Sequence, residues 1–141
     1  MPGVVEARLA ELGETLPDAP TPAANYAPWV RSGPLVFVSG KLSAGPGGLV
    51  TGVLGEDMEV EAGAEAAKLC ALNLIAHLRV ACDGDLDRLR RVVKLTAFVN
   101  SAEGFTDQPK VVNGCSDFLV AVFGEAGRHA RSAVGARLPF G

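Results

Sequence analysis

Hydrophobic residues recur along this chain with two different spacings, which predict helices and strands in turn. In two long segments, about 60–81 and 107–123, apolar residues recur every three or four positions, which predicts helices that each bury one face. The segment 91–100 alternates apolar with other residues and predicts a strand. The β-rich segment 129–139 predicts a further strand.

Turn signals divide the rest of the chain. The segments 26–33 and 34–40 predict two strands joined by a tight Ser-Gly-Pro turn, which is typical of a hairpin. Residues 1–21 predict a short amphipathic helix and a proline-rich connector, and residues 22–141 then form a single domain. The order hairpin, helix, strand, helix, strand predicts an α+β layer sandwich with the two main helices packed on one face of a sheet.

Arg131 is a charged residue inside the predicted last strand, where an unpaired buried charge would be costly. Alternation places Arg131 and Ala133 on one face of this strand and Ser132 and Val134 on the other. The second set is the more apolar, so we expect it to face the helices and Arg131 to point to the opposite face of the sheet. Arg131 then either binds a ligand or pairs with a surface carboxylate, and such a surface pair contributes little to stability.

Composition limits the class of protein. Of the 141 residues, 48% are hydrophobic and 21% are charged, as in ordered globular proteins. The formal net charge is -3 and the basic residues are scattered, which argues against a nucleic-acid partner. The sequence has no apolar run of the roughly 18–20 residues that cross a membrane and no signal-peptide pattern. Three cysteines without CxxC spacing predict free thiols and a cytoplasmic location.

Motifs for phosphate and metal chemistry are incomplete. The loop GPGGLVTG lacks the spacing of a dinucleotide-binding loop, and SGKL lacks the serine or threonine that follows lysine in a P-loop. The stretch CDGDLDRL begins with the acidic spacing of a calcium loop, but Arg88 stands in place of its turn glycine. His77 and His129 share no metal-binding pattern. We therefore expect neither a metal nor a cofactor.

Three ordered motifs carry a resemblance to a known family. NYAPWVRSGPLVFVSGKLS, VVKLTAFVNSAEGFTDQPKVVNG and HARSAVGARLP resemble the YjgF/RidA family of reactive-intermediate deaminases, also called endoribonuclease L-PSP-like, and in particular a longer branch of it. The resemblance covers about residues 22–139. It implies a chorismate-mutase-like α+β fold with a mixed sheet, in a homotrimer with clefts between subunits. It also implies hydrolysis of 2-imino or enamine acids to 2-oxo acids and ammonia without a cofactor.

The resemblance also implies roles for five residues. Arg131 matches the arginine that grips the substrate carboxylate, for which a planar two-point donor is well suited. Tyr26 stands fourteen residues before Gly40, the separation of the cleft tyrosine and glycine in the family. Asn113 matches an asparagine of the second main helix. Ala133 stands where active deaminases often carry cysteine, so only its backbone is expected to bind substrate. Packing or capping roles stay open for Tyr26 and Asn113.

Two features depart from the family pattern. Lys41 stands in place of the glutamine of the SGQ motif, and we expect the last strand of the family, with a glutamate that helps to position water, to be missing. A second class of function therefore stays open: a non-catalytic module that binds small carboxylate metabolites in the clefts. Cleavage of single-stranded RNA, which has been attached to relatives, is disfavoured because the sequence has no basic groove and no histidine pair.

Overall fold

A computed structural model describes residues 3–22 and 24–141; residues 1, 2 and 23 of the predicted N-terminal segment and domain lie outside the described residues. The helices are α1 (Val4–Glu11), α2 (Val60–Ala81) and α3 (Gln108–Phe123). The strands are β1 (Trp29–Ser32), β2 (Leu35–Val38), β3 (Ala44–Gly45), β4 (Gly48–Leu49), β5 (Lys94–Asn100) and β6 (Ala130–Ala136). Both main helices thus start and end within one residue of their predicted bounds. No helix in the described ranges is long and apolar enough to cross a membrane.

Helices α2 and α3 pack against each other and enclose the main core, which includes the fully buried Ile75 and Leu119. The two backbones approach closely at Gly114 of α3, where a Cβ atom would overlap the carbonyl group of Ala64 in α2. Helix α3 ends at Gly124, whose φ of 65° lies in the left-handed region that glycine adopts without strain.

Helix α1 belongs to the same core. Its residues Val5 and Leu9 are buried in the cluster that also contains side chains of α2 and α3. Asp87, in the 3-10 turn 86–88, accepts hydrogen bonds from the backbone N–H groups of Val4 and Val5 at 2.8 and 2.9 Å. Two donors that a helix N-terminus leaves without an intrahelical partner are thereby satisfied, which attaches the start of α1 to the domain.

The strands form three two-stranded sheets rather than the single mixed sheet that we expected. β1 and β2 are the predicted antiparallel hairpin, β3 pairs antiparallel with β4, and β5 pairs parallel with β6. Helix α2 packs on β1 and β2, whereas α3 packs on β5 and β6. Helix α2 therefore covers the β1–β2 pair, and α3 covers the β5–β6 pair. Each pair is buried against its own helix without backbone hydrogen bonds between the two pairs. None of the three sheets of the described residues is mixed, because parallel and antiparallel pairing occur in different sheets.

The prediction that Arg131 faces away from the helices is wrong. In the parallel register Leu95 pairs with Arg131 and Ala97 pairs with Ala133. Paired residues share a face of the sheet, and the β5 residues on this face pack into the cores beneath α3, so Arg131 and Ala133 face the helix as well. Val134 points outward and is 47% exposed. Because β6 pairs with β5, the stronger apolar alternation of β5 decides which face of β6 lies against the helix. The sequence of β6 alone predicts the opposite face.

Two cross-strand apolar pairs remain exposed on the strands. Val30 pairs with Phe37 in the hairpin, and Phe98 pairs with Val134 between β5 and β6. The phenylalanines are 61% and 58% exposed, respectively. We call these four residues the exposed apolar pairs. Large apolar side chains grouped on strand faces are typical of surfaces that become covered by another chain.

Candidate functional site

An open cleft of about 430 Å³ lies between α3 and the start of β6. Helix α3 contributes Asn113, Ser116, Asp117 and Val120, whose spacing of three and four residues places them on one face of the helix. The segment that enters β6 contributes Arg128, His129 and Arg131. Because α3 packs on β6, these two sets of side chains meet across the cleft.

The guanidinium group of Arg131 is held by two uncharged acceptors. Its Nη1 donates to Ser116 Oγ at 3.1 Å, and its Nη2 donates to the carbonyl oxygen of Pro109 at 3.3 Å. None of the ion pairs formed by the described residues includes Arg131. A guanidinium has five N–H donors, so the two contacts orient the group and leave donors for a further acceptor in the cleft.

Ser116 also contacts His129, so that serine, histidine and arginine form one connected network. The hydroxyl of Ser116 lies 2.9 Å from His129 Nε2, and His129 Nδ1 lies 2.6 Å from the carbonyl oxygen of Gly127. Both ring nitrogens are thus engaged by the protein, which sets the plane of the imidazole. The cleft therefore contains the guanidinium of Arg131, a cation suited to binding carboxylates. Beside it lies the hydroxyl of Ser116, which is hydrogen-bonded to the imidazole of His129, a group that can accept a proton.

Comparison with protein families matches residues 6–138 to a model described as "YjgF/chorismate_mutase-like, putative endoribonuclease". This match covers nearly the whole chain. The chain is a member of the YjgF family. The resemblance predicted from the three sequence motifs is thereby confirmed, and so is the chorismate-mutase-like α+β fold, here with three helices and small sheets in the described residues.

Similar chains come from a trypanosome and from two bacteria. Protein TCP17 of Trypanosoma cruzi is 51% identical over 142 residues, which cover 99% of this chain and 88% of that protein. The crystal structure of Atu1372 from Agrobacterium tumefaciens is 47% identical with a TM-score of 0.88 and covers 97% of this chain and 84% of its own. A Shewanella oneidensis protein described as a "putative endoribonuclease" is 35% identical with a TM-score of 0.91, covering 96% and 90%.

The residues that the YjgF resemblance singled out separate into two groups. Arg131 and Asn113 line the same cleft. Tyr26 is 58% exposed, and Gly40 is exposed as well. The two residues flank the β1–β2 hairpin, which packs on α2, and neither of them lines that cleft. Ala133 faces the helix like Arg131 but packs against a small apolar cluster around Val99. One chain therefore brings together only the arginine and the asparagine.

Four polar residues of the cleft were not predicted as site residues: Ser116, Asp117, Arg128 and His129. Ser116 and Asp117 follow Asn113 at helical spacing, and His129 lies two positions before Arg131, directly ahead of β6. The spacing of polar residues around the two predicted residues therefore contains the signal for these three. His129 was considered only as a metal ligand. The described residues contain no group of three His, Cys, Asp or Glu side chains placed to hold a metal ion.

Other titratable groups near the helices have pKa values that burial shifts, and these groups do not line the cleft. Burial raises the pKa of the Cys115 thiol to about 12, and the nearby Cys70 thiol adds to this effect, so Cys115 is a neutral core side chain. Burial lowers the pKa of Lys41, and burial together with the charge of Lys41 lowers the pKa of His77. Lys41 and His77 are thus near neighbours, but neither lines the cleft.

Proposed function

We propose that this protein binds small 2-imino and 2-oxo acids through Arg131 and hydrolyses the imino acids to 2-oxo acids and ammonia. The observation that carries the proposal is the half-buried guanidinium of Arg131, which opens to the cleft, is held only by Ser116 and Pro109, and is in none of the ion pairs of the described residues. A carboxylate would supply the charge partner and accept two parallel hydrogen bonds from the guanidinium.

The second charge of the cleft favours an imino acid over a simple carboxylate. Asp117 lines the same cleft and, like Arg131, is in none of the ion pairs of the described residues. A protonated 2-imino acid carries a carboxylate and an iminium group on adjacent carbons. Arg131 would bind the carboxylate, and Asp117 would attract the positive nitrogen, so the two ends of the substrate are distinguished. Imines hydrolyse readily in water, so orientation of substrate and water supplies most of the acceleration.

We further propose that the protein works as a homotrimer in the cytoplasm. The exposed apolar pairs supply apolar surface on the strands, and a closed symmetric assembly would remove such side chains from water. Tyr26 and Gly40, which do not line the cleft of their own chain, would reach the cleft of a neighbour. The free cysteines Cys70, Cys82 and Cys115 support a reducing compartment. Light scattering after size exclusion measures the assembly, and a wild-type monomer would refute it.

The binding step is tested with Arg131→Ala and Arg131→Lys. Lysine keeps the charge but loses the planar fork. Calorimetric titration with pyruvate is expected to give roughly 10- to 100-fold weaker binding for Arg131→Ala, equivalent to about 1.5–3 kcal/mol for hydrogen bonds to a charged group, and intermediate binding for Arg131→Lys. Arg137→Ala, an exposed arginine after β6, is the matched control. Equal pyruvate affinity in all variants would refute the binding site.

The hydrolytic step is tested separately. An amino-acid oxidase generates 2-iminopropanoate from alanine, and its decay is followed with and without the protein. Faster decay with wild type and Arg137→Ala, but not with Arg131→Ala, is the expected result. Equal decay in all samples refutes hydrolysis.

A non-catalytic binding module is the second candidate function. It is favoured by Ala133, the residue beside Arg131 on the same strand face, because a methyl group offers neither a thiol nor an acid for chemistry. Binding of pyruvate that depends on Arg131, together with unchanged imine decay, would establish this candidate and exclude the hydrolase.

A further inference from the structure

The Ser116–His129 contact has a defined direction, which follows from the chemistry of its neighbours. The carbonyl oxygen of Gly127 can only accept a hydrogen bond, so the His129 Nδ1 that lies 2.6 Å from it must carry the hydrogen. In a neutral imidazole Nε2 is then the acceptor. The hydroxyl of Ser116, 2.9 Å away, therefore donates to His129 Nε2. This is the arrangement of a hydroxyl activated by a base that a third group orients.

Arg131 occupies one of the two acceptor positions of the same hydroxyl. Guanidinium nitrogens only donate, so Ser116 Oγ accepts from Arg131 Nη1 at 3.1 Å. A hydroxyl has one donor and two acceptor positions, which leaves a single lone pair on Ser116 Oγ. A water molecule that donates to this lone pair would sit next to the guanidinium that is proposed to hold the substrate carboxylate. The water is then close to the carbon adjacent to that carboxylate.

We propose that His129 is the proton-transfer group of this cleft, acting through the hydroxyl of Ser116 on the water that attacks the imine. The inference rests on the proposed hydrolysis of 2-imino acids and assigns to His129 and Ser116 the handling of water. It requires no metal, cofactor or additional acidic residue. Neither residue was among those that the family resemblance implied for the site.

The reaction balances with one water and one imidazole. The water oxygen forms a bond to the iminium carbon, the π electrons of the C=N bond move to nitrogen, and the water proton passes through Ser116 Oγ to His129 Nε2. The imidazolium returns this proton to the nitrogen of the carbinolamine, which becomes a leaving ammonium group. The C–N bond then breaks with its electron pair on nitrogen, while the remaining hydroxyl loses its proton to His129 and becomes the carbonyl of the 2-oxo acid. The ammonia that leaves takes up this proton, which restores the neutral imidazole.

Several charged groups surround the imidazole of His129. Helix α3 contributes the carboxylate of Asp117, and the β6 side contributes the guanidinium groups of Arg131 and Arg128. Arg128 is paired with Glu125 at 3.5 Å, and its carbonyl oxygen accepts from Arg91 Nη2 at 2.8 Å. Because the first step needs neutral His129, kcat should fall when acidification protonates the imidazole.

The test compares His129→Gln with wild type, because glutamine can hold a hydrogen bond but cannot exchange a proton. We expect kcat for 2-iminopropanoate to fall by about 100-fold or more with KM changed less than about twofold, since general acid–base catalysis contributes on the order of 10²–10⁴. The acidic limb of the pH profile should disappear. Ser116→Ala should lower kcat, whereas Ser132→Ala, on the outward face of β6, should not. Arg131→Lys should raise KM and retain the acidic limb.

The outcomes separate this inference from the proposed function. An active wild type whose His129→Gln variant keeps its kcat and its acidic limb overturns the role of His129 and leaves the hydrolase standing. A wild type that does not accelerate imine decay overturns both. If His129→Gln does not fold, as shown by circular dichroism and lost pyruvate binding, the wild-type profile decides: a kcat without an acidic limb contradicts a histidine that must be neutral.

Discussion

The substitution Gly114→Ala places two physical effects in opposition. Gly114 lies inside α3, where alanine stabilises a helix by about 1 kcal/mol relative to glycine. Propensity alone therefore predicts a more stable protein. The Cβ atom of the new alanine, however, would overlap the carbonyl carbon and oxygen of Ala64 in α2. These are backbone atoms of a 22-residue helix, so the overlap is relieved only if the two helices move apart.

Separation of α2 and α3 loosens the core that the two helices share, which includes Ile75 and Leu119. Overpacking of this kind costs about 1–3 kcal/mol, and the upper end applies here because backbone rather than a flexible side chain must yield. Subtraction of the helix-propensity gain leaves a net loss of about 2 kcal/mol. For a domain of this size that loss corresponds to a melting temperature lower by roughly 8 °C.

Thermal unfolding followed by far-UV circular dichroism, supported by urea unfolding, measures the change. Gly47→Ala is the matched control, because its Cβ would meet no atom within 4 Å and its φ is not in the left-handed region. Its stability should change by no more than about 0.5 kcal/mol. A Gly114→Ala protein that melts at or above the wild-type temperature would show that helix propensity outweighs the contact and that α2 and α3 do not approach as described.

Two further predictions concern titration. Burial raises the pKa of the Cys115 thiol to about 12, so ionisation of this thiol favours the unfolded chain, and stability falls as the pH rises above the ordinary thiol value. Iodoacetamide should therefore modify Cys115 only as fast as the protein unfolds. Rapid labelling of the folded protein, detected by mass spectrometry, would refute this. Hydrogen bonds from the N–H groups of Val5 and Val4 lower the pKa of Asp87, so its contribution to stability is present above the ordinary carboxyl value and is lost as the pH falls through the lowered one. Asp87→Ala should therefore speed hydrogen exchange in α1 at neutral pH and remove its acid sensitivity. Asp18→Ala, at an exposed position in the connector after α1, should leave exchange in α1 unchanged.

The sequence predicted α2 and α3 well because long amphipathic repeats report directly on burial. The orientation of Arg131 could not be read in the same way, since the residues of β6 are small and its facing is decided by the register with β5. The Ser116–His129 contact joins residues 13 positions apart, on different elements, and depends on how α3 lies over β6. Local pattern thus identifies the elements, whereas the polar network of the cleft is a product of their packing.

All the side chains that line the cleft lie between Asn113 and Arg131, within the continuous unit β5–α3–β6. The chemistry of one chain's cleft is therefore encoded in a single uninterrupted stretch, while the hairpin and α2 lie outside it. Exchange of residues 94–136 between family members should therefore replace every side chain that one chain contributes to its own cleft. For the same reason, a gene that recombines at the two ends of this unit can acquire a new cleft, exchanges the exposed pair Phe98 and Val134 with it, and keeps helix α2 and the hairpin.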